Sequence, residues 1–290
     1  MDAGGTPHLS FLAGTRMTLT IGRISYVNII PFFHHLARTG FAERVIDGVP
    51  AELNARLAAG TIDLSPSSSF EYARNWREYL LLPGLSISSR GPVRSVLLFS
   101  RLPLDATACE KIALTAESAT SVNLLQVLLK EFCGVQELVC SVPGVPVEEV
   151  IAAGGSALLI GDRALRTAGN LPKDMLVYDL GELWYRFTGL PFVFALWMVR
   201  RQTFVEQPAA VRTLRRQLEQ SLALALADLD GMAAAVAPGG PLTVDELVAY
   251  WRDSMSYALT AEHLAGLRLF YTLCCKHGLL EDEPEIHFAD

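Results

Sequence analysis

Short apolar runs of strand length alternate with helical segments along most of this sequence, and polar residues stand at the joints between them. A β-branched run at Thr18–Ile24 precedes a helix from about Pro31 to Arg38, and a run at Lys111–Thr115 precedes a helix through Phe132. Alternation of this kind predicts an α/β fold with mainly parallel sheets. From Val205 onward the apolar spacing predicts helices alone.

The alternation is interrupted at Arg101–Glu110, a stretch with little periodicity, and a strongly apolar strand returns at Phe192–Val199. The chain is therefore expected to leave its first domain once and to come back once. Two such crossovers predict a two-domain, periplasmic-binding-protein-like (type II) fold with a ligand cleft between the domains. The expected division is a disordered lead-in at 1–16, a first domain of 17–103 plus 196–290, and a second domain of 104–195.

Composition excludes several classes of function. Hydrophobic residues make up 51% of the 290 residues, enough for a sizeable core, yet no run approaches the roughly 18 consecutive apolar residues of a membrane span. The net charge is −7 and Lys and Arg do not cluster, which argues against nucleic acid as a partner. A small-molecule ligand is the expected partner, bound to a monomer or a homodimer.

The cysteines and the first residues bear on the compartment. The odd set of five cysteines contains no C-x-x-C pair, which indicates reduced thiols and no structural zinc. The first 16 residues lack the basic and apolar regions of a signal peptide. We therefore expect a cytoplasmic protein without a metal site. The cysteines are Cys109, Cys133, Cys140, Cys274 and Cys275.

Polar motifs follow or lead into the apolar runs at five places. Hydroxyls, amides and free backbone N–H groups at helix starts are suited to binding a small carboxylate-bearing molecule. Because the ends of parallel strands meet at one edge of a sheet, we expect these motifs to converge on the cleft. They are Ser25-Tyr26-Val27-Asn28, Ser65-Pro66-Ser67-Ser68-Ser69, Ser86-Ile87-Ser88-Ser89, Glu117-Ser118-Ala119-Thr120-Ser121 and Gly161-Asp162-Arg163.

Each motif also has a purely structural interpretation. An N-cap needs one hydroxyl, so the three of Ser118, Thr120 and Ser121 favour anion binding. Ser67 and Ser68 at the next helix start fit either capping or ligand contact. Asn28 and Asp162 could likewise cap helices or contact a ligand hydroxyl.

The glycine and histidines in these segments carry weaker indications. Gly161 leaves room for close backbone approach. His34 and His35 are candidate general bases because a free imidazole titrates near neutral pH, but a structural role is the simpler expectation for both.

Taken in order, the motifs resemble one enzyme family, the chorismate dehydratases of the futalosine route to menaquinone. The resemblance extends from about Met17 to Arg200. It is carried by Ile24-Ser25-Tyr26-Val27-Asn28 with Pro31, Pro50-Ala51-Glu52-Leu53-Asn54, Ile62-Asp63-Leu64-Ser65-Pro66, Leu82–Ser89, Ser95–Ser100, Leu114–Ser121, Ala157–Leu165, Tyr178-Asp179-Leu180-Gly181 and Leu190–Ala195.

The resemblance implies loss of water from chorismate to give 3-[(1-carboxyvinyl)oxy]benzoate, with no metal and no organic cofactor. It places Asn28 in the active site. The candidate catalytic residues are then Asn28 and Asp162, and the candidate substrate-binding residues are Ser25, Tyr26, Ser67, Ser68, Ser88, Ser118, Thr120, Ser121 and Gly161.

The acceptor of the substrate proton stays open between the substrate's own carboxylate, Asp162 and His34. Two alternative functions also stay open. One is the sister 1,4-dihydroxy-6-naphthoate synthase, against which the Ser-Tyr-x-Asn opening argues. The other is a non-enzymatic carboxylate-binding protein.

Overall fold

The structure is a computed structural model that describes residues 18–104, 106, 111–135 and 137–290. The expected lead-in at 1–16 and Cys109 lie outside the described residues. Cys140, Cys274 and Cys275 are free thiols.

The strands form two sheets. Their bounds are β1 (Thr20–Ile24), β2 (Arg44–Gly48), β3 (Leu64–Ser68), β4 (Tyr79–Ser89), β5 (Val96–Ser100), β6 (Lys111–Leu114), β7 (Val139–Ser141), β8 (Ala157–Ile160), β9 (Leu176–Asp179), β10 (Phe192–Arg200) and β11 (Ser256–Leu259). The first sheet has the order β11-β4-β10-β3-β1-β2, and the second has the order β7-β6-β8-β5-β9.

Both sheets are mixed, which corrects the expectation of mainly parallel sheets. Strands joined through helices run parallel, as in β1 with β2 and β3 and in β6 with β7 and β8. β10 is inserted antiparallel between β3 and β4, and β5 is inserted antiparallel between β8 and β9. These two strands lie near the crossovers, so no crossover helix within one sheet dictates their direction.

The helices cover the sheets and extend the C-terminal part. They are α1 (Ile30–Phe33), α2 (Pro50–Ala58), α3 (Ser69–Asn75), α4 (Ala119–Val127), α5 (Val147–Ala152), α6 (Gly161–Ala168), α7 (Leu180–Thr188), α8 (Arg201–Glu206), α9 (Pro208–Ala227), α10 (Leu229–Val236), α11 (Val244–Ala249) and α12 (Ala261–Lys276). Wider π-helical turns continue α4 through Leu128–Phe132 and α11 through Tyr250–Ser254. No helix among the described residues is long and apolar enough to cross a membrane.

Three segments differ from the sequence expectation. The sequence predicts a strand of Tyr79–Leu82, whereas β4 continues through Ser89, because a register shift in its pairing with β10 accommodates Pro83-Gly84. β2 is an additional strand. β11 interrupts the helical C-terminal region and pairs with the outer side of β4. Tertiary pairing thus outweighs local sequence signals at these places.

The chain passes between the sheets after Ser89 and again between Asp179 and Phe192. The division into domains stays a prediction. Sheet membership would assign Val96–Ser100 to the second unit and all of Phe192–Arg200 to the first, because each strand pairs there.

Tight packing of α12 on the start of β10 gives a stability prediction. A Cβ on Gly266 would overlap the carbonyl oxygen of Pro191. Gly266→Ala is therefore expected to lower the free energy of unfolding by about 1–3 kcal/mol, measured by urea denaturation. Gly144→Ala is the control, because no atom lies within 4 Å of its added Cβ. Equal stability of the two variants would contradict the packing described.

Candidate active site

A cavity lies between the two sheets, at the ends of the strands β1, β3 and β8. It encloses about 530 Å³ of space, part of which is open to solvent. Its lining residues are Ile24, Tyr26, Asn28, Pro50, Ser68, Ile87, Val93, Ser95, Val96, Ser118, Ser121, Ile160, Gly161, Phe194, Ala195 and Met255. Ligands of open α/β sheets bind at such strand ends.

The lining combines apolar side chains with neutral polar groups. None of the described residues in the lining carries an Asp, Glu, Lys, Arg or His side chain. A bound anion would therefore be held by hydroxyl, amide and backbone N–H donors rather than by a counter-charge.

Asn28 lines this cavity and carries a polar atom that the described residues leave without a partner. Its Oδ1 is buried and has no hydrogen-bond partner among the described residues. The backbone beside it is well fixed, because the carbonyl of Val27 accepts from Trp251 Nε1 at 2.8 Å and that of Asn28 accepts from the Tyr257 hydroxyl at 3.0 Å. A buried polar atom without a partner costs free energy, so a ligand group is the natural partner for this amide.

Two of the three hydroxyls at the start of α4 line the cavity. Ser118 caps the helix by accepting from Ser121 N at 3.0 Å, and its hydroxyl donates to Ser121 Oγ at 3.0 Å. Thr120 is turned away, and its Oγ1 accepts from Phe70 N at 3.1 Å. Ser118 and Ser121 therefore combine capping with access to a ligand, whereas Thr120 joins α4 to α3.

The other serines that the sequence predicts to bind substrate also divide into one that lines the cavity and others that do not. Ser68 lines the cavity at the end of β3, where it caps α3. Ser67 does not line the cavity, although its Oγ is buried and has no partner among the described residues. Ser88 shares a 2.6 Å hydrogen bond with Ser86 inside the sheet, and Ser25 is exposed in a neighbouring groove.

A chain of polar contacts links the two sheets beside the cavity. The Tyr26 hydroxyl donates to Glu117 Oε2 at 2.6 Å, and Arg163 Nη1 donates to Glu117 Oε1 at 2.8 Å. Arg163 also pairs with Glu148 at 2.6 Å. Burial, with a further contribution from Glu117, raises the pKa of Tyr26 well above its usual value, so the phenol stays protonated.

Asp162 does not line the cavity and instead forms a second hydrogen-bonded link between the two sheets. Its Oδ1 accepts from Val27 N at 3.0 Å, and burial raises the pKa of its carboxyl group. Gly161 beside it does line the cavity. It has a φ of +59°, and a Cβ there would lie 2.7 Å from the Tyr26 ring, so glycine is required.

His34 also lies outside the cavity, in the groove shared with Ser25 and Asp162. Its pKa is lowered by partial burial and by the neighbouring His35. Neither protein candidate for the proton acceptor therefore lines the cavity.

Sequence reasoning missed Ser95 and the C-terminal aromatic residues that support the site. Ser95 lines the cavity at the crossover between the sheets, and its Oγ accepts from the Tyr250 hydroxyl at 2.8 Å. Tyr250, Trp251 and Tyr257 lie in and after the π-helical turn. Buried Tyr and Trp side chains require polar partners, and this was the available signal in the sequence.

Comparison with known proteins places the chain in a family. It matches the menaquinone biosynthesis family over residues 19–276. It is 38% identical over 216 residues to the chorismate dehydratase of Thermus thermophilus, covering 70% of this chain and 77% of that protein. It is 30% identical over 186 residues to the chorismate dehydratase of Campylobacter jejuni, covering 61% and 66%.

Solved structures confirm the predicted periplasmic-binding-protein-like fold. A protein of Archaeoglobus fulgidus has a TM-score of 0.72 at 16% identity, covering 91% of this chain and 98% of that one. The alkanesulfonate-binding protein of Xanthomonas axonopodis has a TM-score of 0.70 at 16% identity, covering 91% and 94%. At these identities the likeness concerns the fold alone. The match over most of the chain shows that this protein belongs to the menaquinone biosynthesis family.

Proposed function

We propose that this protein is a chorismate dehydratase, a carbon–oxygen lyase of the hydro-lyase type. It eliminates water from chorismate to give 3-[(1-carboxyvinyl)oxy]benzoate in the futalosine route to menaquinone. The observation that carries the proposal is the 38% identity to the Thermus thermophilus chorismate dehydratase. The cavity supports it, because its neutral donors suit a small molecule with carboxylates.

The chemistry requires stabilisation of charge on the substrate ring. Removal of the C3 proton leaves an electron pair that delocalises through the ring diene into the ring carboxylate. Loss of the C4 hydroxyl, which leaves as water with the abstracted proton, then makes the ring aromatic. Donors held on that carboxylate stabilise the developing charge and lower the barrier.

The hydroxyls at the strand ends supply such donors. Ser121 at the start of α4 keeps its own proton for a ligand, because its Oγ accepts from the hydroxyl of Ser118 beside it, and Ser68 lies at the end of β3. The dipole of α4 favours a carboxylate there by about 0.3–1 kcal/mol. Asn28 then orients the enolpyruvyl side chain or the leaving hydroxyl through its unpartnered Oδ1 and its amide N–H groups.

The substrate's own side-chain carboxylate is the proposed proton acceptor. Among the described residues of the lining, Tyr26 alone has a titratable side chain, and its hydroxyl donates a hydrogen bond to Glu117 and has a raised pKa. Asp162 and His34 lie in the outer groove. Folding the side chain over C3 would supply the base by proximity. Cytoplasmic location, the monomeric or homodimeric state and independence from cofactors stay predictions.

The direct test is to mix purified protein with chorismate in metal-free buffer and to follow the products by chromatography and mass. We expect a product at the substrate mass minus water that is absent without protein. Unchanged chorismate would contradict the proposal. Intermediates of the futalosine route would then be tested in turn, to distinguish the sister synthase from a binding protein.

Asn28→Ala tests the role of the first motif. Loss of the amide is expected to lower kcat/KM by roughly 10- to 100-fold, because a hydrogen bond to a charged group is lost. Asn75→Ala is the matched control, since the Asn75 amide donates to Glu71 Oε1 outside the lining. Full turnover by Asn28→Ala with normal binding would refute the assigned role.

The pH profile tests the proton acceptor. If His34 were the base, its neutral form would be active, and kcat/KM would fall as the pH drops through a pKa lying below 6.5. We expect that titration of His34 produces no fall of kcat/KM at acidic pH. The kcat/KM of His34→Gln is expected to stay within about threefold of that of the wild type across the pH profile. Loss of activity in a folded His34→Gln variant, or loss of an acid limb present in wild type, would restore His34 as the base.

A further inference from the structure

The hydrogen-bonding capacity of Ser68 is almost used up by the protein itself. Its Oγ accepts from Asn54 Nδ2 at 3.2 Å and from Glu71 N at 3.2 Å. A serine hydroxyl has two lone pairs and one proton, so these two bonds occupy both lone pairs. The proton remains, and no described residue accepts it, although the side chain is only 4% exposed and lines the cavity.

The orientation of Asn54 follows from its second contact. Ser68 N, which can only donate, faces Asn54 Oδ1 at 3.4 Å. The amide group of Asn54 must therefore turn its Nδ2 toward Ser68 Oγ. Asn54 is itself only 6% exposed, on the face of α2 that packs against β3. A buried amide at this position is expensive unless it is hydrogen-bonded, and its two bonds to Ser68 satisfy that need.

From this geometry we infer that Asn54 is a positioning residue that makes Ser68 a hydrogen-bond donor to a carboxylate oxygen of the substrate. The inference rests on the proposed dehydratase function, which supplies the carboxylate. Asn54 acts through Ser68, because it is absent from the cavity lining. With both lone pairs occupied, Ser68 discriminates against a ligand group that offers only a donor at this point.

Reversing the polarity of the amide is the sharpest test. In Asn54→Asp the carboxylate accepts from both Ser68 N and the Ser68 hydroxyl, so the proton is withdrawn from the cavity. We expect kcat/KM for chorismate to fall by about 10- to 100-fold, as it does in Ser68→Ala. Gln217→Glu is the matched amide-to-acid control, because Gln217 donates to the carbonyl of Thr39 outside the cavity lining, and it is expected to keep the wild-type kcat/KM.

The double variant separates this role from other effects. In a Ser68→Ala background, Asn54→Asp is expected to change kcat/KM by less than about threefold, because its route to the substrate is gone. If Asn54→Asp acted through its new charge or through a general loss of stability, it would instead lower kcat/KM by the same factor in both backgrounds. Equal factors in both backgrounds would overturn the inference.

Asn54→Ala is a second variant that introduces no buried charge, so it tests the same contact if Asn54→Asp fails to fold. It frees one lone pair of Ser68, so we expect a loss of severalfold in wild type and none in the Ser68→Ala background, with melting temperatures recorded for every variant. If the wild-type enzyme is active and Asn54→Ala lowers kcat/KM by the same factor in both backgrounds, the inference is overturned and the proposed function stands. A wild-type protein that neither binds nor dehydrates chorismate would overturn the proposed function and the inference together.

Discussion

The turn after β1 is the constraint on which the rest of the site depends. Val27 N donates to Asp162 and the Tyr26 hydroxyl donates to Glu117, so two neighbouring residues tie the first sheet to the second. The same turn is held from behind by Trp251 and Tyr257. Because its backbone is fixed on both sides, Asn28 is held in the cavity lining with a buried amide oxygen that has no hydrogen-bond partner among the described residues.

The described residues of the lining carry no counter-charge for the substrate carboxylates, and this suits the proposed chemistry. An ammonium or guanidinium group beside the substrate would bind its carboxylates strongly, but it would also lower their pKa. Hydroxyl donors that are already oriented by the protein hold an anion at a smaller cost to its basicity. Ser68 and Ser121 are of this kind, since each is fixed by its hydrogen bonds to neighbouring residues.

The site could be predicted from the sequence only to the level of motifs. The first turn, the start of α4 and the glycine at α6 were identified, because polar residues at strand ends are a local signal. The sequence does not show which hydroxyl of a motif lines the cavity. Ser118 and Ser121 line it, whereas Thr120 accepts from Phe70 N. Asp162 likewise serves as a link across the sheets. The contacts that these side chains make depend on how the two sheets pack against each other.

The sequence by itself determined the alternation of strands and helices and the family. These features depend on contacts between residues close in the chain or on motifs in order. Tertiary structure alone decided that β10 and β5 run antiparallel within their sheets and that β11 joins β4. It also brought Tyr250 to Ser95 and Tyr257 to Asn28, pairs 155 and 229 residues apart. Hydrogen bonds over such separations leave no local pattern, because they form only when the whole chain packs.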